Sequence, residues 1–112
     1  MPESRATISI DQYTSDVFTS LVGQVFCFHR TADAGDAPMH LELIEVQASP
    51  HHATAGARQA FSLLFALRSG DAMQPATLYL RREHFEPCAW FINRVSVTGR
   101  DPRTPYYEAV FG

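Results

Sequence analysis

The sequence predicts an all-β domain: a small six-stranded, mostly antiparallel barrel or sandwich with one short N-terminal helix. Three observations carry this. Six short runs alternate apolar with polar residues, the two-residue period of half-buried strands. Clusters of Gly, Pro, Asp and Ser punctuate them. No run is separated from the next by the long helical crossover that parallel strands need. At 112 residues, 46% of them apolar, the chain reads as one globular domain over 1–112, able to close a core without covalent staples.

The helix is expected over about 11–22. Asp11 or Thr14 is placed to cap it, Val17, Phe18 and Leu21 form one apolar stripe, and Gly23 suits a terminating position with positive φ. Two to three turns do not stand alone in water, so the helix must pack on an end of the sheet. The first strand, about 24–30, sets Phe26 and Phe28 against Val25, Cys27 and His29. The second, 39–48, puts Met39, Leu41 and Leu43 on one face, then shifts its apolar phase to Ile44, Val46 and Ala48. One extra residue of this kind is a bulge. The third, about 59–69, aligns Phe61, Leu63, Phe65 and Leu67. The fourth, about 76–85, opposes Leu78 and Leu80 to Tyr79 and Arg81 and is broken by Glu86-Pro87. The fifth, about 88–97, carries Trp90 and Ile92 opposite Phe91, Asn93 and Val95. The sixth, about 105–111, closes the chain, and only one of its adjacent Tyr106 and Tyr107 can face the core.

Four pieces of this pattern carry a family likeness. They are Phe18-x-x-Leu21-Val22-Gly23-x-x-Phe26, Leu41-x-Leu43-x-Glu45-Val46, Phe61-Ser62-Leu63-Leu64-Phe65, and the ending Tyr107-Glu108-Ala109-Val110-Phe111. Over roughly 18–111 the chain resembles an uncharacterised family of small bacterial proteins known only as a domain of unknown function. The resemblance implies a compact, mainly β domain and no assigned activity. It also hints at a place in a bacterial or phage-tail-like assembly. The family tends to end its fifth strand with a proline after a Phe-aliphatic pair; here Phe91-Ile92-Asn93 runs into Arg94, which puts a sharp ending there in doubt.

Charge and composition narrow the function classes. The net charge is −3 with a pI near 5.9, and all nine basic residues are Arg. Neither nucleic acid nor an anionic membrane is an expected partner of such a chain. The polar start and the lack of a long apolar run point to a cytoplasmic protein, in a bacterium by default. Cys27 and Cys88 lie among apolar strand neighbours and read as reduced core thiols, with a cross-strand bridge as the alternative.

Candidate chemistry is sparse. His51-His52 lacks a third ligand nearby, so a solvated loop pair is the plainer reading and no metal or other cofactor is expected. His29, His40 and His84 lie on three strands and could converge with Glu42, Glu45 or Glu83 as an acid–base site, the second alternative function. Trp90 reads as core; with Tyr79 and the arginines lining an interior, the chain would instead be a small-molecule or peptide binding barrel. The leading reading is non-enzymatic: a structural or protein–protein interaction module with a protein partner or a homo-oligomer, using open sheet edges or an aromatic surface. Its candidate binding residues are Arg81, Arg82, Arg94, Tyr106 and Tyr107, with Arg81 or Arg82 near Arg94 if the fourth and fifth strands pair.

Overall fold

The computed structural model describes residues 7–31, 38–48, 60–70 and 76–111. Its strands are β1 (Val25–His29), β2 (Met39–Ala48), β3 (Phe61–Ser69), β4 (Ala76–Arg81), β5 (Cys88–Val95) and β6 (Tyr106–Phe111). All neighbouring pairs are antiparallel, and the order β1-β2-β3-β6-β5-β4 closes into a barrel because β1 also pairs with β4. The expected barrel-or-sandwich therefore resolves as a closed barrel. The loop pair His51-His52 lies outside the described residues.

Alternation decides what fills it. Phe26, Phe28, Met39, Leu41, Leu43, Leu63, Phe65, Leu78, Leu80, Trp90, Ile92 and Tyr107 point inward and are buried. A six-stranded barrel is narrow enough for side chains alone to occupy its lumen. Rings do most of the filling. Trp90 packs against Phe28 at 5.3 Å and Phe111 at 5.0 Å between centroids, and Phe26 meets Phe65 edge-on at 5.5 Å. On β2 the pairing with β3 slips between Leu43 and Glu45, the position of the apolar phase shift. The extra residue, Ile44, lets Leu43 and Val46 both serve the interior.

The N-terminal segment plugs one end. Thr14 accepts a hydrogen bond from the Val17 N–H at 3.4 Å and starts the helix α1 (Ser15–Thr19). A separate 3-10 turn covers Ile10–Gln12. The helix is thus shorter than the expected 11–22, for a physical reason: Tyr13 between the two pieces is extended and wholly buried. Its ring is used as a wedge in the core, and a continuous helix would carry it elsewhere. Gly23 ends the segment at φ 94° and donates its N–H to the Leu43 carbonyl at 2.7 Å, which stitches the plug to β2. Phe18 projects from α1 into the mouth, its ring 5.1 to 6.4 Å from those of Tyr13, Phe26, Phe61, Phe85, Trp90 and Phe111.

β4 ends at Arg81, short of the expected 85. His84 adopts φ 71° there, and Phe85 turns inward to bridge Ile8 in parallel. β5 likewise stops at Val95 and runs through the Asn93-Arg94 position without a break.

Two outcomes follow. Removing Tyr106–Phe111 deletes the strand that joins β3 to β5, so the truncated chain should show no cooperative melting transition by circular dichroism. Phe18→Ala should keep the strand spectrum but lose about 3–5 kcal/mol in urea denaturation, the usual range for a buried ring.

Candidate functional site

The register separates the residues that the sequence grouped. β4 and β5 do pair, but Leu80 lies opposite Cys88 and Ala76 opposite Ile92. Arg81 is therefore at the helix-plugged end, whereas Arg94 pairs with Tyr107 at the other end. About six strand residues at ~3.3 Å each lie between them. Arg81 and Arg94 therefore form no cluster. Arg82 has inward parity and caps the plugged mouth: its guanidinium stands 4.4 Å from the centre of the Phe26 ring. It also donates to the Val25 carbonyl at 3.0 Å and to the Gln24 side chain. Burial lowers its pKa. Arg82 is thus engaged as a clasp between the exit of β4 and the entry of β1.

The two tyrosines take opposite faces, as their adjacency on one strand requires. Tyr107 faces the interior with Ala109, as one of the pair had to. Tyr106 faces outward, yet is only 8% exposed. Its partners explain this: it stands opposite Ala66 on β3 and Val95 on β5, and the connection from β5 to β6 folds over it. That connection is pinned by Asp101, which accepts from the Arg103 N–H at 2.9 Å. The same hydrogen bond holds the Asp101 carboxyl below its ordinary pKa. Leu67 N–H donates to the Pro105 carbonyl at 3.0 Å. Of the sequence candidates, Arg94 is brought beside its register partner Tyr107 and beside Tyr106. Arg94 and Tyr106 share a groove of about 250 Å³ with Asp101, Pro102 and Thr104.

The three histidines do not all converge: His29 and His40 are diagonal neighbours across β1 and β2, and His84 is apart from them. His29 and His40 lie on the outer wall of β1 and β2. His84 sits in the turn beyond β4, 3.7 Å from its neighbour Glu83. Glu42 is bound by Arg68 at 2.7 Å, and Glu45 faces Arg100 at 3.7 Å. Among the described residues no group of three His, Cys, Asp or Glu is placed to hold a metal ion. The cysteines are on opposite sides of the wall. Cys88 is inward, its Sγ 3.3 Å from the Tyr13 hydroxyl. Cys27 is outward beside His29, which corrects its reading as a core thiol, and the two form no disulfide.

Trp90, read as core, is buried, and its indole N–H donates to the Tyr13 hydroxyl oxygen at 3.3 Å. Tyr79 is half-buried on the outer wall opposite His29, so it lines no interior. Within the described lumen Trp90, Phe28, Phe65 and Phe26 pack ring against ring.

Sequence reasoning missed the outer face of β5 and β6. Phe91 is 59% exposed and Val110 64%, the most exposed of the large apolar side chains described. Asn93 pairs with Glu108, and continuing that register places Phe91 across from Val110. The paired stretch of this seam covers Asn93–Val95 only, so below it β5 is paired only with β4, and β6 only with β3. On the far side of Val110 lies a shallow groove of about 320 Å³, lined by Gln47, Ala48, Ala60, Phe61, Ser62 and Glu108. The signal was present: Phe91 has the parity opposite to Trp90 and Ile92.

Tyr13 gives this region a pH signature. Burial pushes its phenol well above the ordinary value of 10.0, the Cys88 contact acts in the same direction, and the Trp90 N–H opposes it. The unfolded chain therefore releases this proton first. The Tyr13 contribution to stability is constant below pH about 10 and falls as pH rises toward the folded-state value. Urea midpoints measured from pH 8 upward should decline above pH 10, and Tyr13→Phe should flatten that decline.

The sequence profile of a domain of unknown function, DUF6916, matches residues 13–111. No curated protein matches the chain. No solved structure matches it either.

Proposed function

The chain belongs to this domain family of unknown function, and within it we propose that the barrel is a non-enzymatic assembly module that associates with a second copy of itself through the outer face of β5, β6 and β3. One observation carries the reading: a projecting apolar ring, Phe91, and a groove beside Val110 lie on the same wall, on either side of β6. A two-fold contact requires a self-complementary patch, in which the knob of each copy meets the recess of the other. Knob and groove on one wall satisfy that requirement, with β6 near the axis. Val110 and the half-buried Leu64 and Val95 add apolar area around it, and Glu108 and Asn93 supply a polar component.

The filled lumen favours this reading over an internal ligand site. A binding barrel needs a concave cavity with convergent polar groups, and here rings occupy that space. Strand addition at an open edge is also disfavoured, because every strand of a closed barrel has two neighbours along at least part of its length. His84 stands apart from His29 and His40, so a site built from all three histidines has no support.

Light scattering across a concentration series should show a dimer. Phe91→Asp should shift it to monomer while the melting transition stays within about 1 kcal/mol of the parent, as expected for an exposed position. Ser62→Arg should block the groove with the same result. Mixing the two variants restores one intact knob-and-groove contact per pair and should recover part of the association. A parent protein that remains monomeric at high concentration overturns the reading.

A further inference from the structure

β1 carries a second constellation on its outer face. Cys27 and His29 are two residues apart on a strand and so share that face, with Cys27 Sγ 3.7 Å from His29 Nε2. The barrel closure places β1 between β2 and β4. His40 stands directly opposite Cys27 on one side and Arg81 on the other. The thiol thus touches one imidazole, that of His29, and has His40 and Arg81 as its cross-strand neighbours. It is half-buried, which leaves it reachable by a small molecule.

We propose that Cys27 is a reactive thiol that takes an oxidative modification from a small peroxide, with His29 as its proton acceptor and Arg81 as the cationic flank. The chemistry of the neighbours favours this over a soft metal ion. His40 Nδ1 is held by the Ser69 hydroxyl at 2.8 Å, and Arg81, the register partner of Cys27 on β4, brings positive charge to this face, which opposes a bound cation but favours a thiolate. Other described groups also face this row. Tyr79 is opposite His29, and Glu42, two residues along from His40, is occupied by Arg68. Cys88 has none of this setting, being turned inward against Tyr13.

The step balances as follows. His29 Nε2 takes the Cys27 proton. The thiolate attacks one oxygen of hydrogen peroxide, the O–O bond breaks, and the departing hydroxide takes the proton back from His29 as water. Sulfur loses two electrons, peroxide gains them, and Cys27 becomes a sulfenic acid, the first and reversible rung of cysteine oxidation. Arg81 is suited to stabilise the leaving hydroxide.

The test uses the full chain and follows both cysteines by mass spectrometry. Iodoacetamide should alkylate Cys27 at least about tenfold faster than Cys88 at pH 7, with a midpoint in the pH–rate profile below the value of about 8.5 for an ordinary thiol. After hydrogen peroxide, dimedone should label Cys27 and not Cys88. His29→Gln should slow alkylation of Cys27 at pH 7 by about tenfold, and Arg81→Gln should raise its midpoint. Both positions are on the outer wall, and a retained melting transition verifies that each variant folds. A Cys27 midpoint at or above 8.5, or an unchanged rate in both variants, overturns the proposal.

Discussion

The structure depends on the closure of one seam. Five of the barrel's six strand pairs are joined by runs of three to eight residues that reach the plugged end, but β5 and β6 are paired over Asn93–Val95 alone at the far end. Below that point the two strands must be held by side chains. Trp90 from β5 and Phe111 from β6 meet at 5.0 Å, and Tyr13 contacts both, at 5.6 and 5.4 Å. The N-terminal segment is therefore part of the barrel wall in energetic terms. Its phenol bonds to Trp90 and Cys88 of β5 while its ring packs on β6. Phe18 then covers the same rings from beyond the mouth. A lumen filled in this way has no tolerance for missing volume.

That filling shapes what the protein can present. Rings that satisfy one another inside leave function to the outside of the wall, where alternation places every second residue. Two outer regions differ from ordinary polar surface. One is the Phe91–Val110 pair with its adjoining groove, over the half-paired seam. The other is the Cys27 row across β4, β1 and β2. The arginines that looked like a recognition group instead serve structure or stand apart: Arg82 clasps Phe26 and Gln24, Arg94 borders the covered Tyr106, and Arg81 joins the cysteine row.

Much of the fold was legible because a filled barrel with a wet exterior writes a two-residue period into its strands. Even the bulge at Ile44 was readable, since an inserted residue moves the apolar phase. What escaped was whatever depends on pairing rather than pattern. Strand order placed β6 between β3 and β5, and no local feature of 106–111 specifies that. The expected Arg81–Arg94 proximity failed on register, which periodicity leaves free along the strand. The helix was overextended because Tyr13 reads as an ordinary helical residue until its burial in the core is known. Tyr106 is covered by a connection whose course its own strand does not encode. Cys27 was read as core on its apolarity, although it shares parity with His29, and that parity was the better guide.

The two outer regions bear a fixed relation to each other. In a six-strand ring ordered β1-β2-β3-β6-β5-β4, β1 and β6 are diametrically opposed. A two-fold contact centred on β6 therefore turns both copies of β1 away from the interface. Cys27 would stay open to solvent in the dimer, and its modification could not act by steric conflict at the contact. Any influence between them would have to cross the lumen. There Phe26 and Phe28, the inward neighbours of Cys27, pack on Phe65 and Trp90, and Phe65 lies opposite Tyr107 on β6. Side chains packed at this density move little, so the barrel is expected to keep the two faces energetically separate.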